Sequence, residues 1–322
     1  MSNYKKIGKN IHQVMIDNPK TPVEKLIWVN IINPGKTEIE YVRKKYKFDL
    51  KHLQASSAKS VAQRPKIQKH KDYLFLILHF PVFHEDYIIS GEIEFFIGHG
   101  FLITMHDNKI KELNHFFDLC KKDSNSLLAY EFESSAILLY ELLNKLMSGS
   151  YHLLDKNSIA IDNVESIIFS QEQKVAASQI LNLRHNIINL RKILQNHKNI
   201  LKKLSEMESS LVPVKKLKNY YYQLVEHSKR IWEILDNQKE MIEALHDTNE
   251  SLLNYKISDI MKTLTIFSVI VFPLTLLAAI FGMNTMKGMP FIYTENGFWI
   301  IIAIMLVGCL SMLLFFERKR WL

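Results

Sequence analysis

The chain has 322 residues and a formal net charge of +8, a length that suits one sizeable soluble domain with additional material. Its mean hydropathy of −0.04 conceals an apolar C-terminal part. The two distant cysteines, Cys120 and Cys309, exclude a disulfide framework and a CxxC metal site, and are expected to act as small hydrophobes in a reducing compartment. Residues 1–18 lack the apolar core of a signal peptide, which predicts a cytosolic N-terminus. No zinc-finger spacing or RNA-binding aromatic signature accompanies the basic charge, so nucleic acid is not expected as a partner.

Residues 1–125 have the pattern of a mixed α/β domain. Apolar and β-branched runs predict strands at residues 25–32, 73–80, 92–97 and 101–106. The last two are separated by Gly98-His99-Gly100, which predicts a hairpin turn, and Asn33-Pro34-Gly35 predicts a turn after the first. Residues 41–53 are predicted to be helical.

A helical region is predicted for residues 126–213, where apolar side chains recur at three- and four-residue steps. One such stripe comprises Ile180, Leu183, Ile187, Leu190 and Leu194. Pro213 is predicted to begin a stalk helix at residues 214–262, which continues into the apolar part of the chain. A single helix over residues 214–281 would be roughly 100 Å long, although the periodicity is equally compatible with several shorter helices.

Two uncharged apolar runs follow, eighteen residues at 264–281 and nineteen at 298–316. A helix that crosses a hydrocarbon core needs about 20 such residues, so residues 263–281 and 298–316 are predicted to be transmembrane helices. A buried hairpin of a soluble protein is the alternative. It is less favoured because the two runs are adjacent, similar in length and close to the end of the chain.

Basic residues determine the predicted orientation. They lie before the first span and after the second, at Lys256, Lys262, Arg318, Lys319 and Arg320. The loop at 282–297 carries only Lys287 and Glu295. The positive-inside rule therefore predicts a multi-pass protein of the inner or plasma membrane, with both termini and the basic tail at 317–322 in the cytosol.

The two spans differ in polarity. The first contains Ser268, Pro273 and Thr275, whereas the second is more uniformly apolar. We therefore expect the first span to face other protein or water and the second to face lipid. Because two helices cannot enclose a pore, a ring of subunits is the simplest arrangement.

A specific motif, Phe281-Gly282-Met283-Asn284, stands directly after the proline-bearing first span and is followed by Met289-Pro290. Together with the basic end Lys319-Arg320-Trp321-Leu322, it resembles the CorA family of magnesium channels. Gln63-Arg64-Pro65-Lys66, leading into Tyr73-Leu74-Phe75, resembles a recurring segment of the family's cytosolic domain. The resemblance extends over nearly the whole chain.

The resemblance implies an α+β cytosolic domain, a long stalk helix, two C-terminal transmembrane helices and a funnel-shaped homopentamer in membrane lipid. Gly282, Met283 and Asn284 would form the outer selectivity filter, and Asp247 would be the acidic residue of the inner funnel. Mg²⁺ would be transported and would also stabilise the closed state from a site between cytosolic domains. The sequence does not place that regulatory site, for which Asp72, Glu85 and Asp86 are candidates. No organic cofactor is implied.

The chemistry of the motif suits a hydrated ion. Mg²⁺ dehydrates reluctantly, and the carboxamide of Asn284 can accept hydrogen bonds from ion-bound water. Gly282 would permit an unusual backbone angle or close packing at the helix end, and Met283 would pack behind the ring. The alternative interpretation of Gly282 and Asn284 is an ordinary helix cap and turn.

Steps of three and four from Met261 into the first span define a candidate pore-lining stripe, and Ser258 and Asp247 continue the same face towards the cytosol. Its members are Asp247, Ser258, Met261, Leu264, Ser268, Phe272, Thr275 and Ala279. Three large apolar members, Met261, Leu264 and Phe272, would form constrictions that gate by dewetting, and the hydroxyls of Ser268 and Thr275 would face a hydrated ion. Ordinary helix packing is the alternative for each residue. Glu250 and Asp259 are expected on other faces as solvated charges.

The resulting hypothesis is a channel and not an enzyme, with Mg²⁺ uptake driven by the membrane potential, and with Co²⁺ and Ni²⁺ as further candidate ions. Phe291, where the family often has an acid after Met-Pro, and Lys287 leave a ZntB-like Zn²⁺ transporter open as the alternative. A membrane-anchored helical scaffold without transport is the alternative of another class. The histidines around the predicted strands, among them His79, His84, His99 and His106, are expected to be structural or superficial.

Overall fold

A computed structural model describes residues 4–17, 25–56, 63–85, 87–121, 134–170, 172–207, 214–284, 288–291, 294–319 and 321. The chain divides into two compact units, Met1–His246 and Asp247–Leu322. The strands are β1 (Tyr4–Lys6), β2 (Ile11–Asp17), β3 (Lys25–Ile32), β4 (Lys66–Lys69), β5 (Tyr73–His84), β6 (Tyr87–Gly98) and β7 (Phe101–His106). The helices are α1 (Lys36–Tyr46), α2 (Leu50–Ala55), α3 (Lys111–Lys121), α4 (Ser135–Phe169), α5 (Gln173–Leu194), α6 (His197–Glu206), α7 (Val214–Phe281) and α8 (Gly297–Arg318).

The strands form one mixed sheet in the order β1-β2-β3-β7-β6-β5-β4. Only the central pair, β3 and β7, is parallel among the described strands. A long hairpin of β5 and β6 pairs Tyr73 with Gly98 at one end and His84 with Tyr87 at the other. The predicted strands at 25–32 and 101–106 are confirmed to the residue, and the other two are longer than predicted.

Three strands were not predicted from the sequence. β1 and β4 are short and lysine-rich, and they lie at the two edges of the sheet. Charged edge strands protect a sheet from further pairing, but their composition does not distinguish them from loops. β2 was missed although Ile11, Val14 and Ile16 are buried, because His12 and Gln13 interrupt its apolar pattern.

The predicted helix at 41–53 is wrong, because the chain forms two helices here. α1 ends where Lys47 adopts a left-handed conformation with φ 55° and its N–H bonds to the carbonyl of Arg43. α2 then begins at a new cap, where the Asp49 carboxylate accepts a hydrogen bond of 2.9 Å from the Lys51 N–H. A left-handed residue commonly ends a helix at its C-terminal end. That residue is usually glycine, so the lysine at this position did not indicate the end of α1.

The sheet of the first unit is covered on both faces. On one face, Val42, Phe48 and Leu53 of the α1–α2 region join a buried cluster with Tyr73 and Phe96. On the other, α4 and α5 pack against β5 and β6, and Trp28 of β3 packs against Phe116 and Phe117 of α3. The result is an α/β/α layer arrangement around a buried sheet.

Helices α4, α5 and α6 occupy described residues of the predicted helical region, and the segment after it is one helix, α7, of 68 residues. Within the first unit α7 is held by α4 and α5. The Tyr221 hydroxyl donates to the Ala136 carbonyl at 2.7 Å, and the Gln238 amide donates to the Leu154 carbonyl at 2.7 Å. The guanidinium of Arg191 stacks 4.6 Å from the Trp232 ring. The alternative of several shorter helices is therefore wrong for residues 214–281.

The histidines predicted to be structural include two that are buried. His106 Nε2 donates to the Asn30 amide oxygen at 3.0 Å, while its Nδ1 accepts from the Asn108 N–H at 3.1 Å. Burial lowers the pKa of His106 to about 4, so this ring is neutral and fixed. His79 donates from Nε2 to the Glu92 carboxylate at 3.0 Å. Burial likewise raises the pKa of the Cys120 thiol to about 12, which makes it unreactive.

The buried Glu94 predicts a pH-dependent stability. It is 5% exposed, and its burial, reinforced by the neighbouring Glu92 carboxylate, raises its pKa well above 4.5. Its contribution is therefore complete below pH 4.5 and is lost as the pH rises through the folded-state pKa. Glu94→Gln removes the ionisable group and retains a donor toward Glu92. We expect it to raise the thermal unfolding midpoint at pH 9 by roughly 2–4 °C, or about 1 kcal/mol.

Circular dichroism melts at pH 5 and pH 9 provide the measurement for Glu94→Gln. The exposed Glu40, which pairs with Lys44 on the surface, gives the matched control, Glu40→Gln, whose effect should stay within about 0.5 kcal/mol. An equal change at both pH values for Glu94→Gln would contradict the assignment of a buried, protonated carboxyl.

Candidate ion pathway

The second unit contains the apolar end of α7 and the whole of α8. In the most apolar stretch of α7, 6% of the residues are buried, and in the most apolar stretch of α8 the share is 0%. A core helix of a soluble protein would be mostly buried, so these helices need another apolar environment. Both are long enough to cross a hydrocarbon layer.

Gly282 directly follows the last residue of α7 and still makes a helical hydrogen bond. Its N–H bonds to the Ala278 carbonyl at 3.0 Å, and a Cβ added to it would lie 3.1 Å from that same carbonyl oxygen. The left-handed glycines of the described residues are Gly100 and Gly288, so Gly282 is not among them. The unusual backbone angle predicted for Gly282 is therefore not a left-handed one, and its predicted close packing stays a prediction.

Met283 and Asn284 follow directly and are both exposed. The Met283 N–H bonds to the Ile280 carbonyl at 3.2 Å, which tightens the last turn of the helix. The chain therefore presents Asn284 immediately beyond the helix end, where a carboxamide can meet solvent or an ion. The packing predicted for Met283 behind a ring stays a prediction, because it needs neighbouring subunits.

The loop closes against the start of α8. Phe291 adopts a left-handed conformation with φ 71°, and its carbonyl accepts bonds from the Thr294 hydroxyl at 2.8 Å and the Thr294 N–H at 3.3 Å. A Cβ on Gly297 would lie 2.0 Å from the Phe291 carbonyl oxygen. Gly297 is thus required for this close approach. Lys287, whose charge was expected near the mouth, lies outside the described residues.

This contact predicts that Gly297→Ala distorts the loop. The clash is with backbone, which cannot rotate away as a side chain can, and such overpacking costs about 1–3 kcal/mol. We expect a lower thermal unfolding midpoint for the purified protein in detergent. The matched control is Gly308→Ala in α8, where an added Cβ meets nothing within 4 Å. Equal midpoints for the two variants would show that the Phe291–Gly297 contact does not constrain the loop.

The candidate stripe lies on one side of α7. An α-helix turns by about 100° per residue, so all eight members fall within an arc of about 120°. Seven of the eight are exposed and Ser268 is half-buried. Five of the less exposed positions of the same segment lie on the opposite side: Ile266, Ile270, Leu274, Leu277 and Phe281. Exposed side chains nevertheless occur all around this segment, among them Phe267 and Leu276, so the stripe is exposed in the single chain but is not its one uncovered side.

The two hydroxyls of the stripe donate their hydrogen bonds within the helix. Ser268 donates to the Leu264 carbonyl at 2.8 Å, and Thr275 donates to the Val271 carbonyl at 2.8 Å. Each hydroxyl proton is therefore used within the helix, and the oxygen presents lone pairs outward. Water bound to a cation donates hydrogen bonds, so these oxygens are suitable acceptors for a hydrated ion.

Pro273 lies inside α7. Because proline has no N–H, the carbonyl of Val269 lacks its usual partner four residues later. In a transmembrane helix such a carbonyl needs a polar partner, either another helix, a side chain or water. The proline therefore favours a helix that contacts protein or water over one surrounded by lipid.

One predicted placement is wrong. Glu250 was expected on another face, but in the uninterrupted α7 it lies three residues after Asp247 and falls within the same arc. Asn254 lies four residues further on and also falls within it. The stripe therefore carries two more polar side chains between Asp247 and Ser258 than the sequence pattern predicted.

The regulatory candidates do not come together in one chain. Asp72 immediately precedes β5, whereas Glu85 follows its last residue, so about 35–40 Å of strand separates them. Asp86 lies outside the described residues. Within the described part of the chain, no group of three or more His, Cys, Asp or Glu side chains could hold a metal ion.

An α/β unit together with two exposed apolar helices at the C-terminal end defines a membrane protein with two spans. Residues 23–320 match the family model described as CorA-like Mg²⁺ transporter protein, and the chain belongs to this family. It is accordingly a divalent-cation transporter and not an enzyme.

Individual relatives agree with this assignment. The cobalt/magnesium transport protein CorA of Thermotoga maritima is 25% identical over 297 residues, covering 92% of this chain and 83% of the relative. The structure of the CorA magnesium transporter from Methanocaldococcus jannaschii matches with a TM-score of 0.83 at 23% identity, covering 92% of each chain. The ZntB cytoplasmic domain from Vibrio parahaemolyticus matches with a TM-score of 0.57 at 15% identity, covering 77% of this chain and 100% of that domain.

Proposed function

We propose that this chain forms a homopentameric channel that admits Mg²⁺ to the cytosol, driven by the membrane potential. Residues 263–281 line the pore, residues 298–316 face lipid, and the loop at 282–297 lies outside the membrane with both termini in the cytosol. Residues 1–125, 126–213 and 214–262 form the cytosolic α/β domain, helical region and stalk. Mg²⁺ bound between cytosolic domains favours the closed state.

The observations that carry this proposal are the exposed stripe of α7 and the exposed Asn284 just beyond the end of that helix. The apolar members of the stripe would narrow the pore, while its hydroxyl oxygens and the carboxamide would accept hydrogen bonds from ion-bound water. Symmetric association around an axis would cover this side of five helices at once. A membrane-anchored scaffold needs neither outward-facing hydroxyl oxygens nor an exposed carboxamide at the helix end.

Mg²⁺ is proposed over Zn²⁺ on the chemistry of the stripe. Zn²⁺ prefers imidazole and thiolate ligands, whereas the stripe offers hydroxyl, carboxamide and carboxylate oxygens. Oxygen acceptors suit the hydrated, hard Mg²⁺ ion. Names of relatives that include cobalt and magnesium are in line with this choice.

The test is a comparison of Mg²⁺ and Zn²⁺ uptake into proteoliposomes, each with and without a proton gradient. We expect Mg²⁺ uptake that responds to voltage and is unchanged by the proton gradient. Faster Zn²⁺ uptake that depends on the proton gradient would replace this proposal with the ZntB-like alternative.

A further inference from the structure

A surface cavity of about 840 Å³ lies in the first unit and includes no residue of the candidate ion pathway. Residues 63–65 before β4, His79 of β5 and residues 88–90 of β6 form one part of its lining. The remainder comes from the end of α5 and its junction with α6. The Gln63-Arg64-Pro65 segment, which was prominent in the sequence but has no role in the pore, is thus part of a concave surface.

Hydrogen bonds fix the walls of this cavity. The Asn186 amide oxygen accepts from the Ile88 N–H at 3.1 Å, and the Asn189 amide donates to the Ile88 carbonyl at 3.1 Å. On the other side, His197 Nε2 donates to the His79 carbonyl at 2.7 Å. Burial lowers the pKa of His197 to about 4, so this bond comes from a neutral ring. Helices α5 and α6 are therefore tied to the β5–β6 hairpin around the cavity.

The charged side chains that line the cavity are positive. Arg64 and Lys192 both line the cavity and are exposed to solvent. Among the described residues, the lining contains no acidic residue and no carboxylate pairs with either cation. The nearby Glu92 carboxylate is already occupied, since it accepts from His79 Nε2 at 3.0 Å and from the Gln63 N–H at 2.8 Å.

We propose that this cavity binds a phosphate-bearing small molecule of nucleotide size. A guanidinium such as that of Arg64 binds phosphate through two parallel hydrogen bonds, and Lys192 adds a second positive charge. The side chains of Ile88, Ile89 and Ile193 offer apolar contact to the rest of the ligand. The volume lies within the range of about 300–1,000 Å³ that is usual for small-molecule sites.

Binding here would bridge the α5–α6 junction and the segment before β4. A ligand that binds only the folded protein stabilises it by an amount that grows with the logarithm of the ligand concentration above the Kd. The site would therefore couple the presence of a cytosolic phosphate compound to the stability of the soluble unit. This inference does not depend on the proposed pore, because its readout is binding and not ion flux.

The test is calorimetric titration of the full-length protein in detergent micelles with adenosine monophosphate, using adenosine as the unphosphorylated partner. Low salt limits the screening of Arg64 and Lys192. Without added divalent metal, the phosphate of the ligand remains free to bind these cations. We expect saturable binding of adenosine monophosphate with a Kd below about 1 mM and no detectable binding of adenosine. The double variant Arg64→Gln/Lys192→Gln should weaken binding at least tenfold.

Arg184→Gln is the matched control, because Arg184 is an exposed cation of α5 outside the cavity lining, and it should bind as the unaltered protein does. If the double variant does not fold, Lys192→Gln alone provides the comparison. Absence of adenosine monophosphate binding would overturn the proposal. So would equal binding of adenosine, or unchanged affinity in the folded cavity variant.

Discussion

Asn284→Ala is expected to lower Mg²⁺ uptake into proteoliposomes by roughly a thousandfold. Each subunit of the proposed pentamer loses one carboxamide acceptor for ion-bound water, and one such hydrogen bond contributes about 1 kcal/mol. Five losses in one ring add to about 5 kcal/mol, and every 1.4 kcal/mol corresponds to a factor of ten. The methyl group of alanine cannot accept a hydrogen bond, so the hydrated ion meets no partner at the mouth.

Asn296→Ala is the matched control for this prediction. Asn296 is the same residue type in the same loop, it is exposed, and its side chain makes no capping hydrogen bond to α8. It should retain uptake. Light scattering in detergent should show pentamers for both variants. If Asn284→Ala pentamers take up Mg²⁺ at the unaltered rate, Asn284 is not the filter.

Phe272→Ser is expected to raise Mg²⁺ uptake under conditions that close the channel, by roughly tenfold. In the proposed pentamer, the Phe272 side chains would form a ring that excludes water, and an ion would have to lose its hydration to pass. Serine is smaller and can hold water, so the closed pathway becomes wet. The measurement is uptake at high internal Mg²⁺, where the unaltered channel is expected to be closed.

Phe267→Ser controls for the general effect of a serine in this span. Phe267 is 64% exposed in the chain and Phe272 is 70% exposed, so the two substitutions remove similar apolar surface. Five residues separate them, which turns Phe267 by about 140° away from Phe272. Only Phe272→Ser should raise the uptake. Equal uptake by the two variants would mean that the candidate stripe does not line the pathway.

The parts of the fold that could be predicted are those encoded by continuous local patterns. β3 and β7 are apolar, β-branched runs bounded by turn residues, and their limits were predicted to the residue. The apolar ends of α7 and α8 follow from uncharged runs long enough to cross a membrane. In each case neighbouring residues carry the whole signal, so no tertiary contact has to be known.

The missed elements depend on distant contacts. β4 is a strand because Lys66–Lys69 pairs with β5, and nothing in its own residues requires that pairing. The break between α1 and α2 depends on a left-handed Lys47, which the surrounding sequence does not announce. The cavity at Arg64 combines segments more than a hundred residues apart in the chain, and this combination exists only after folding.

The candidate site was only partly predictable for the same reason. The motif at Gly282 and the hydroxyls of Ser268 and Thr275 stand out in the sequence. Whether a residue such as Glu250 shares their face depends on the helix remaining unbroken over many turns. A break or bulge of one residue would rotate it by about 100°, so the structure was needed to place it.

The most direct test of the central claim is Mg²⁺ uptake by the purified chain in proteoliposomes with an imposed inside-negative potential and no ATP. A divalent ion crossing 100 mV gains about 4.6 kcal/mol, twice the ~2.3 kcal/mol of a single charge, which corresponds to roughly 2,000-fold accumulation. Uptake should grow with the potential and stop when both the potential and the Mg²⁺ gradient are removed. Uptake that ignores the potential, or that requires ATP, would contradict this claim.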